Sequence, residues 1–261
     1  MKVKMISRDT NSLKFEISET TPVFASAIRR VILQKIPILS ITRADFIDNT
    51  SALYDEIIAH RFGMLPIVFD PKKYVLGAGC KCGGKGCSSC QVKFVLKKEG
   101  PCTAYAKDMV STDPAVKVLD GDIIIVKLLE GQSIDVEATA TIGFAEDHAK
   151  WQSAIVGYSY YPKLIVDKKR IKEAKDCVDA CPLGLITSDL KIKEPYSCNL
   201  CGSCEFACPD GAVTIEGDSS RIIFNIESVS GLSPDVIVLA AKEILANNVG
   251  EFEEALKKEL K

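Results

Sequence analysis

The chain has 261 residues, enough for two or three small domains, and it is 47% hydrophobic and 26% charged, the balance of a globular protein with a substantial core. A net charge of −2 offers no global case for nucleic-acid binding, which usually shows as a basic domain. No apolar run of 18 residues occurs and the N-terminus alternates apolar and polar residues instead of carrying a signal-peptide core, so the expectation is a cytoplasmic protein without a membrane span.

In chain order, residues 2–18 read as two paired strands, with Val3, Met5 and Ile6, then Leu13, Phe15 and Ile17, split by a turn at 8–12. A helix follows: Thr21 caps it, Pro22 fits its first turn, Phe24, Ala27, Ile28, Val31 and Ile32 repeat at helical spacing, and Pro37 ends it. Residues 38–47 and 120–144 carry strand-like β-branched residues, and 51–67 reads as a short capped helix between them. Another strand is expected at 221–229. The last element begins at Ser233-Pro234, with Val238, Ala241, Leu245, Val249, Phe252, Leu256 and Leu260 in one stripe. Gly250 is a candidate bend. Such a stripe needs burial, either on the chain's own sheet or on a partner.

The eleven cysteines fall into two groups, four at 80–90 and six at 177–208, with Cys102 alone. Tight clusters without a secretion signal point to metal and not to a disulfide framework. Cys198-x₂-Cys201-x₂-Cys204-x₃-Cys208-Pro209 is the ferredoxin pattern for a [4Fe–4S] cluster. In two-cluster ferredoxins the fourth cysteine of each motif ligates the other cluster, so Cys198, Cys201 and Cys204 take their fourth thiolate from Cys181. The reciprocal site would need cysteines at 171, 174 and 177, yet 171 is Ile and 174 is Ala. One cluster and one vestigial site result, with Cys177 and Cys208 as neighbouring free thiols, able to bridge on oxidation. In air the cluster is open to degradation to [3Fe–4S]. A single cluster can carry electrons, but the chain shows no dinucleotide fingerprint, flavin signature or second centre; it can equally staple its module, because metal binding is coupled to folding.

Cys80-x-Cys82-x₄-Cys87-x₂-Cys90 suits a structural tetrahedral Zn²⁺ with no open position for catalysis. An empty loop or two disulfides are the other readings of the same spacing. The two histidines, His60 and His148, lie near no nucleophile motif, and Asp55, Glu56 and Arg61 are expected to pair across a helix or with a neighbouring chain. No catalytic residue is assigned.

Three stretches, AIRRVILQKIPILSI at 27–41, YDEIIAHRFGMLPI at 54–67 and GFAEDHAKWQ at 143–152, resemble the family of the archaeal D subunit of DNA-directed RNA polymerase, as do the single-cluster insertion and the terminal helix. The family is related to the third-largest subunit of eukaryotic RNA polymerase II and to the amino-terminal domain of the bacterial α subunit. The resemblance implies a non-catalytic scaffold that pairs with subunit L and nucleates assembly with subunits N and P and the large catalytic subunits, without direct nucleic-acid contact. On it, Ala27, Ile28, Arg29, Arg30 and Val31 match the platform helix, and 234–261 matches the element packed on subunit L. Asp55, Glu56, His60 and Arg61 match a motif facing other subunits. Cys80, Cys82, Cys87 and Cys90 fall where the eukaryotic relative holds zinc. The implied fold is α+β: a discontinuous dimerisation domain (1–42, 152–167 and 217–261) with an inserted β-rich domain at 43–151 and an inserted ferredoxin-like iron–sulfur domain at 168–216.

Overall fold

The computed structural model describes residues 1–167, 170, 174–208 and 211–260. Position 171 of the vestigial site, Pro209 after the last cysteine, and the first residues of the expected iron–sulfur domain lie outside them.

Strands β1 (Lys2–Arg8) and β2 (Ser12–Ser18) form the expected hairpin, antiparallel, with Val3 opposite Ile17 and Met5 opposite Phe15. Helix α1 (Pro22–Gln34) starts on Thr21, whose Oγ1 accepts the Phe24 N–H at 3.4 Å. Next come β3 (Ile38–Asn49), α2 (Asp55–Gly63), β4 (Ile67–Val68), β5 (Gln91–Glu99), β6 (Cys102–Tyr105), β7 (Val110–Ser111) and β8 (Lys117–Val118). The stretch expected as strand at 120–144 is two strands, β9 (Ile124–Leu128) and β10 (Ser133–Gly143), with Gly131 in the left-handed region (φ 76°) between them. Then follow β11 (Ala154–Val166), α3 (Ala174–Asp179), α4 (Ser203–Ala207), β12 (Val213–Ser228) and α5 (Pro234–Glu259). Two sequence expectations shift at their edges. The helix at 51–67 shortens to α2, because residues 51–53 form a side-chain turn on Asn49. The last strand begins earlier than 221, because the chain leaving the cysteine motif already pairs into the sheet.

The chain divides into two compact units, Met1–Arg29 with Val156–Ile226, and Arg30–Ile155 with Glu227–Lys261. The first holds most of a four-stranded sheet in the order β1-β2-β12-β11. Its apolar face is Leu13, Phe15 and Ile17 against Ile222 and Phe224, with the Phe15 and Phe224 rings stacked at 5.3 Å. Glu16, between two core residues of β2, points out of that face by strand alternation yet is buried. Arg221 closes on it with Nε and Nη2 at 2.7 and 3.1 Å, and the Tyr196 hydroxyl donates to it at 2.8 Å. The Arg221 guanidinium also lies 3.4 Å from the Tyr161 ring centroid.

The second unit contains a sheet in the order β3-β10-β5-β7. Strict alternation buries Val136, Ala138 and Ala140 of β10 opposite Leu96, Phe94 and Val92 of β5. Ile58 and Phe62 of α2 complete this core, and Arg61 Nη1 ties α2 to β9 through the Ile125 carbonyl at 2.6 Å. Asp55 accepts from Asn49 at 2.7 Å. Within the chain, Asp55 and Arg61 thus bind neighbouring segments of their own unit and do not pair across the helix.

Helix α5 runs unbroken through Gly250. Its first half buries Ile237 and Ala241, while Val249, Phe252, Leu256 and Leu260 stay exposed, Phe252 at 68%. Of the expected stripe the chain covers Ala241 fully and Val238 and Leu245 in part, and leaves the distal residues exposed.

Candidate metal centres

The loop 77–90 folds back on itself through Gly83, Gly84 and Gly86, all with positive φ, a conformation that costs glycine nothing. At Gly86 a Cβ would also lie 2.4 Å from the Gln91 side-chain amide. The turns bring Cys80, Cys82, Cys87 and Cys90 together with all sulfurs within 4.8 Å of one another. Cys80 and Cys87 are 3.4 Å apart, Cys82 and Cys90 3.6 Å, and Cys87 and Cys90 3.9 Å. Four thiolates about 2.3 Å from one tetrahedral ion stand about 3.8 Å from each other, whereas bonded sulfurs stand about 2.05 Å apart. The four are free thiols, so the two-disulfide reading does not describe this loop. The Cys87 backbone N–H donates to Cys90 Sγ at 3.3 Å, the kind of outer contact that orients a ligating thiolate. The four thiols share protons: hydrogen bonding lowers Cys82 and Cys87 while Cys80 and Cys90 are raised, so close packing of the sulfurs favours thiolates at two of the four positions. The four cysteines fit a metal ion.

The second set sits in the other unit. Cys181 follows α3, Cys198 and Cys201 lie on the loop before α4, and Cys204 is inside α4. All four line one pocket, closed by Leu164 and Ile215 among other apolar side chains. The loop reaches this shape with Leu200 and Gly202 both in the left-handed region, at φ 57° and 78°. Burial pushes the Cys204 thiol up, and the charges of Cys198, Cys181 and Cys201 push the same way. A hydrogen bond with Ser203 leads in lowering Cys201, and the Leu185 N–H donates to Cys181 Sγ at 3.3 Å. Convergent thiolates that repel one another in an apolar recess are what a cationic cluster would neutralise. The four residues expected to share a cluster are brought to one place.

Cys177 and Cys208 are joined in a disulfide with Cα atoms 5.3 Å apart. Their expected proximity is met, and they stand in the bridged form that the sequence allows on oxidation. The pair lies in an apolar cluster with Ile186, Leu190, Cys204 and Val213, where a covalent link leaves no polar group unsatisfied. Cys102 Sγ donates to the Glu99 carbonyl at 3.3 Å, apart from both sets.

The anchorage of the second set was not foreseen. Tyr196, two residues before Cys198, meets Glu16, which Arg221 also reaches, across sequence separations of 180 and more, and Lys14 Nζ donates to the Tyr196 carbonyl at 2.6 Å. The one available signal was a glutamate wedged between Phe15 and Ile17.

A sheet-based chain with a cysteine loop in one unit and a cysteine recess in the other is matched by the family of the RNA polymerase Rpb3/RpoA insert domain over residues 44–158. Over its whole length the chain is similar to DNA-directed RNA polymerase subunit Rpo3 of Methanosphaera stadtmanae, at 34% identity covering 97% of this chain and 98% of that one. The corresponding subunit Rpo3 of Methanosarcina acetivorans is 33% identical, covering 97% of each chain, and that of Pyrobaculum arsenaticum 32%, covering 98% and 96%. The chain belongs to the Rpo3 family, the same family as the archaeal D subunit under another name.

Proposed function

We propose that this chain is a non-catalytic assembly subunit of DNA-directed RNA polymerase, and that it works as the scaffold on which other subunits gather. The observation that carries the reading is the full-length relatedness to polymerase subunits, at 34% identity over 97% of the chain. A physical feature supports it. The distal half of α5 presents Val249, Phe252, Leu256 and Leu260 to solvent in a helical stripe. Full burial of a large apolar side chain contributes about 1.5–3 kcal/mol, so four of them act on the scale of the association cost of about 4–15 kcal/mol. On this reading the stripe seats on subunit L, through a discontinuous dimerisation domain of 1–42, 152–167 and 217–261. Subunits N and P and the large catalytic subunits then assemble on the pair, and the chain makes no direct contact with nucleic acid. Its place is the cytoplasm; no helix of the described residues is long and apolar enough to cross a membrane.

In the same reading Cys80, Cys82, Cys87 and Cys90 hold a structural Zn²⁺, supported by sulfur separations of 3.4–3.9 Å. Cys181, Cys198, Cys201 and Cys204 hold one [4Fe–4S] cluster, supported by their shared apolar recess. With every ligand a protein thiolate, neither centre keeps a position for substrate, so both are structural or, for the cluster, regulatory.

The test is the composition and native mass of the complex that a tagged copy of this chain brings out of its own cells under anaerobic conditions. A multi-subunit assembly with the polymerase catalytic subunits is expected. A small complex with a reductase or dehydrogenase would overturn the reading in favour of electron transfer.

A further inference from the structure

In the second unit a cleft of about 150 Å³ opens between β3, the C-terminal end of α2 and the segment at 144–151. Its walls include Arg43, His60, Met64, His148 and Lys150, and no carboxylate is among the lining residues. Lys150 is half-buried there, and burial alone lowers its ammonium below the usual lysine range. Its Nζ is held by the Ile41 carbonyl at 3.3 Å and lies 4.5 Å from the Trp151 ring centroid, but among the described residues it has no acidic partner within salt-bridge reach. The acids nearby are committed elsewhere or stand outside the cleft: Glu146 pairs with Lys35, and Asp45 with Arg43, taking two of that guanidinium's five N–H donors. His148 Nδ1 accepts the Lys150 backbone N–H at 3.0 Å, which leaves Nε2 as the donor of the neutral ring. The Trp151 ring is itself fixed, its Nε1–H donating to the Thr141 carbonyl at 3.3 Å.

A half-buried ammonium held by a carbonyl and a ring, in a cleft with no carboxylate in its walls, is placed to receive an anion. The size of the cleft selects the kind. Sites for small molecules and cofactors run to about 300–1,000 Å³, so this one takes a side chain and not a nucleotide. The surroundings select a protein. Ile57, His60 and Met64 share one face of α2, and Ile57 and Met64 are exposed at 43% and 54%, an apolar border typical of an interface.

We propose that this cleft is a socket for an aspartate or glutamate side chain of a neighbouring polymerase subunit, received by Lys150 with Arg43 and His148 as further donors. The socket rests on the assembly reading given above. Insertion of the carboxylate makes a charge-assisted contact with a half-buried ammonium, which favours one docking register and penalises a partner that lacks the acid.

The test is carried out on the polymerase purified through the tagged full-length chain, beside the free full-length chain. Lys150 acetylation is measured by peptide mass mapping, and carbodiimide coupling is used to join lysines to touching carboxylates. Lys150 should be protected by at least roughly tenfold in the polymerase and should couple to an Asp or Glu in another subunit. Lys150→Met should make recovery of the complex more sensitive to salt than Lys150→Arg does. Equal acetylation in both samples would overturn the proposal, as would protection of the free chain by millimolar inorganic phosphate to the same extent, which would make the cleft a free-anion site. Protection without coupling, together with unchanged salt sensitivity of Lys150→Met, would reduce the cleft to buried surface and overturn it too. Failure to recover any polymerase subunit would instead overturn the assembly reading, a separate result.

Discussion

Arg221→Met removes the charge that neutralises Glu16 while keeping most of the aliphatic stem. Glu16 is 5% exposed and Arg221 35%. Three hydrogen bonds reach the carboxylate, two from Arg221 and one from Tyr196. Breaking a fully buried pair by removing one partner costs about 3–5 kcal/mol. Partial exposure of Arg221 and the retained Tyr196 bond reduce that, so about 2–3 kcal/mol is expected at neutral pH. The pH dependence supplies the sharper check. Arg221, ahead of Tyr196, holds the Glu16 carboxyl below its ordinary value. In the unfolded chain Glu16 binds its proton near pH 4.3, and in the folded chain only at lower pH. The pair's contribution is therefore complete above the unfolded value and is lost as pH falls through the folded one. In Arg221→Met the carboxylate is buried without its cation, so acid relieves it. The gap between wild type and variant, read by urea unfolding from pH 7 down to about pH 4, should close as pH falls. A gap under about 0.5 kcal/mol, or one that ignores pH, would refute the reasoning. Tyr196→Phe should lose less, about 1–2 kcal/mol, because the Arg221 pairing survives.

The two proposed metal sites should separate cleanly. Cys87→Ser is expected to lose about one zinc per chain by elemental analysis while keeping its iron, and Cys201→Ser the reverse; joint loss in either variant would mean the ligand sets are wrong. Phe252→Asp with Leu256→Asp should abolish pairing with subunit L in pull-down and leave thermal unfolding of the free chain within about 0.5 kcal/mol, since both side chains are exposed; a stability loss without a pairing defect would contradict the division of α5. Gly143→Ala places a Cβ 2.3 Å from the Trp151 ring. That ring must shift, at about 1–3 kcal/mol, visible as a lower melting temperature and altered tryptophan fluorescence; an unchanged spectrum would show the ring to be free.

Both cysteine sets could be read from the chain because their chemistry is local. Nine residues lie between Cys80 and Cys90, glycines among them supply the left-handed turns, and the ferredoxin spacing carries its own pairing rule. The α1 cap at Thr21 and the strand character within 120–144 were legible for the same reason, since capping and β-branched preference follow from the residues themselves and neighbours a few positions away. Partners far apart in the chain were not. Nothing in Glu16 announces Arg221, 205 residues on, and nothing in Lys150 announces the carbonyl of Ile41. The stripe of α5 was plain as a period of apolar residues, but a period states only that a face wants burial. Which half of that face the chain covers by itself depends on where Ile237 and Ala241 find neighbours. Likewise the spacing brought Cys177 and Cys208 near each other, while the bond between them belongs to a packed apolar cluster. Local stereochemistry and ligand spacing are written along the chain; desolvation, and the charge pairing that answers it, exist only once distant segments have closed over the same atoms.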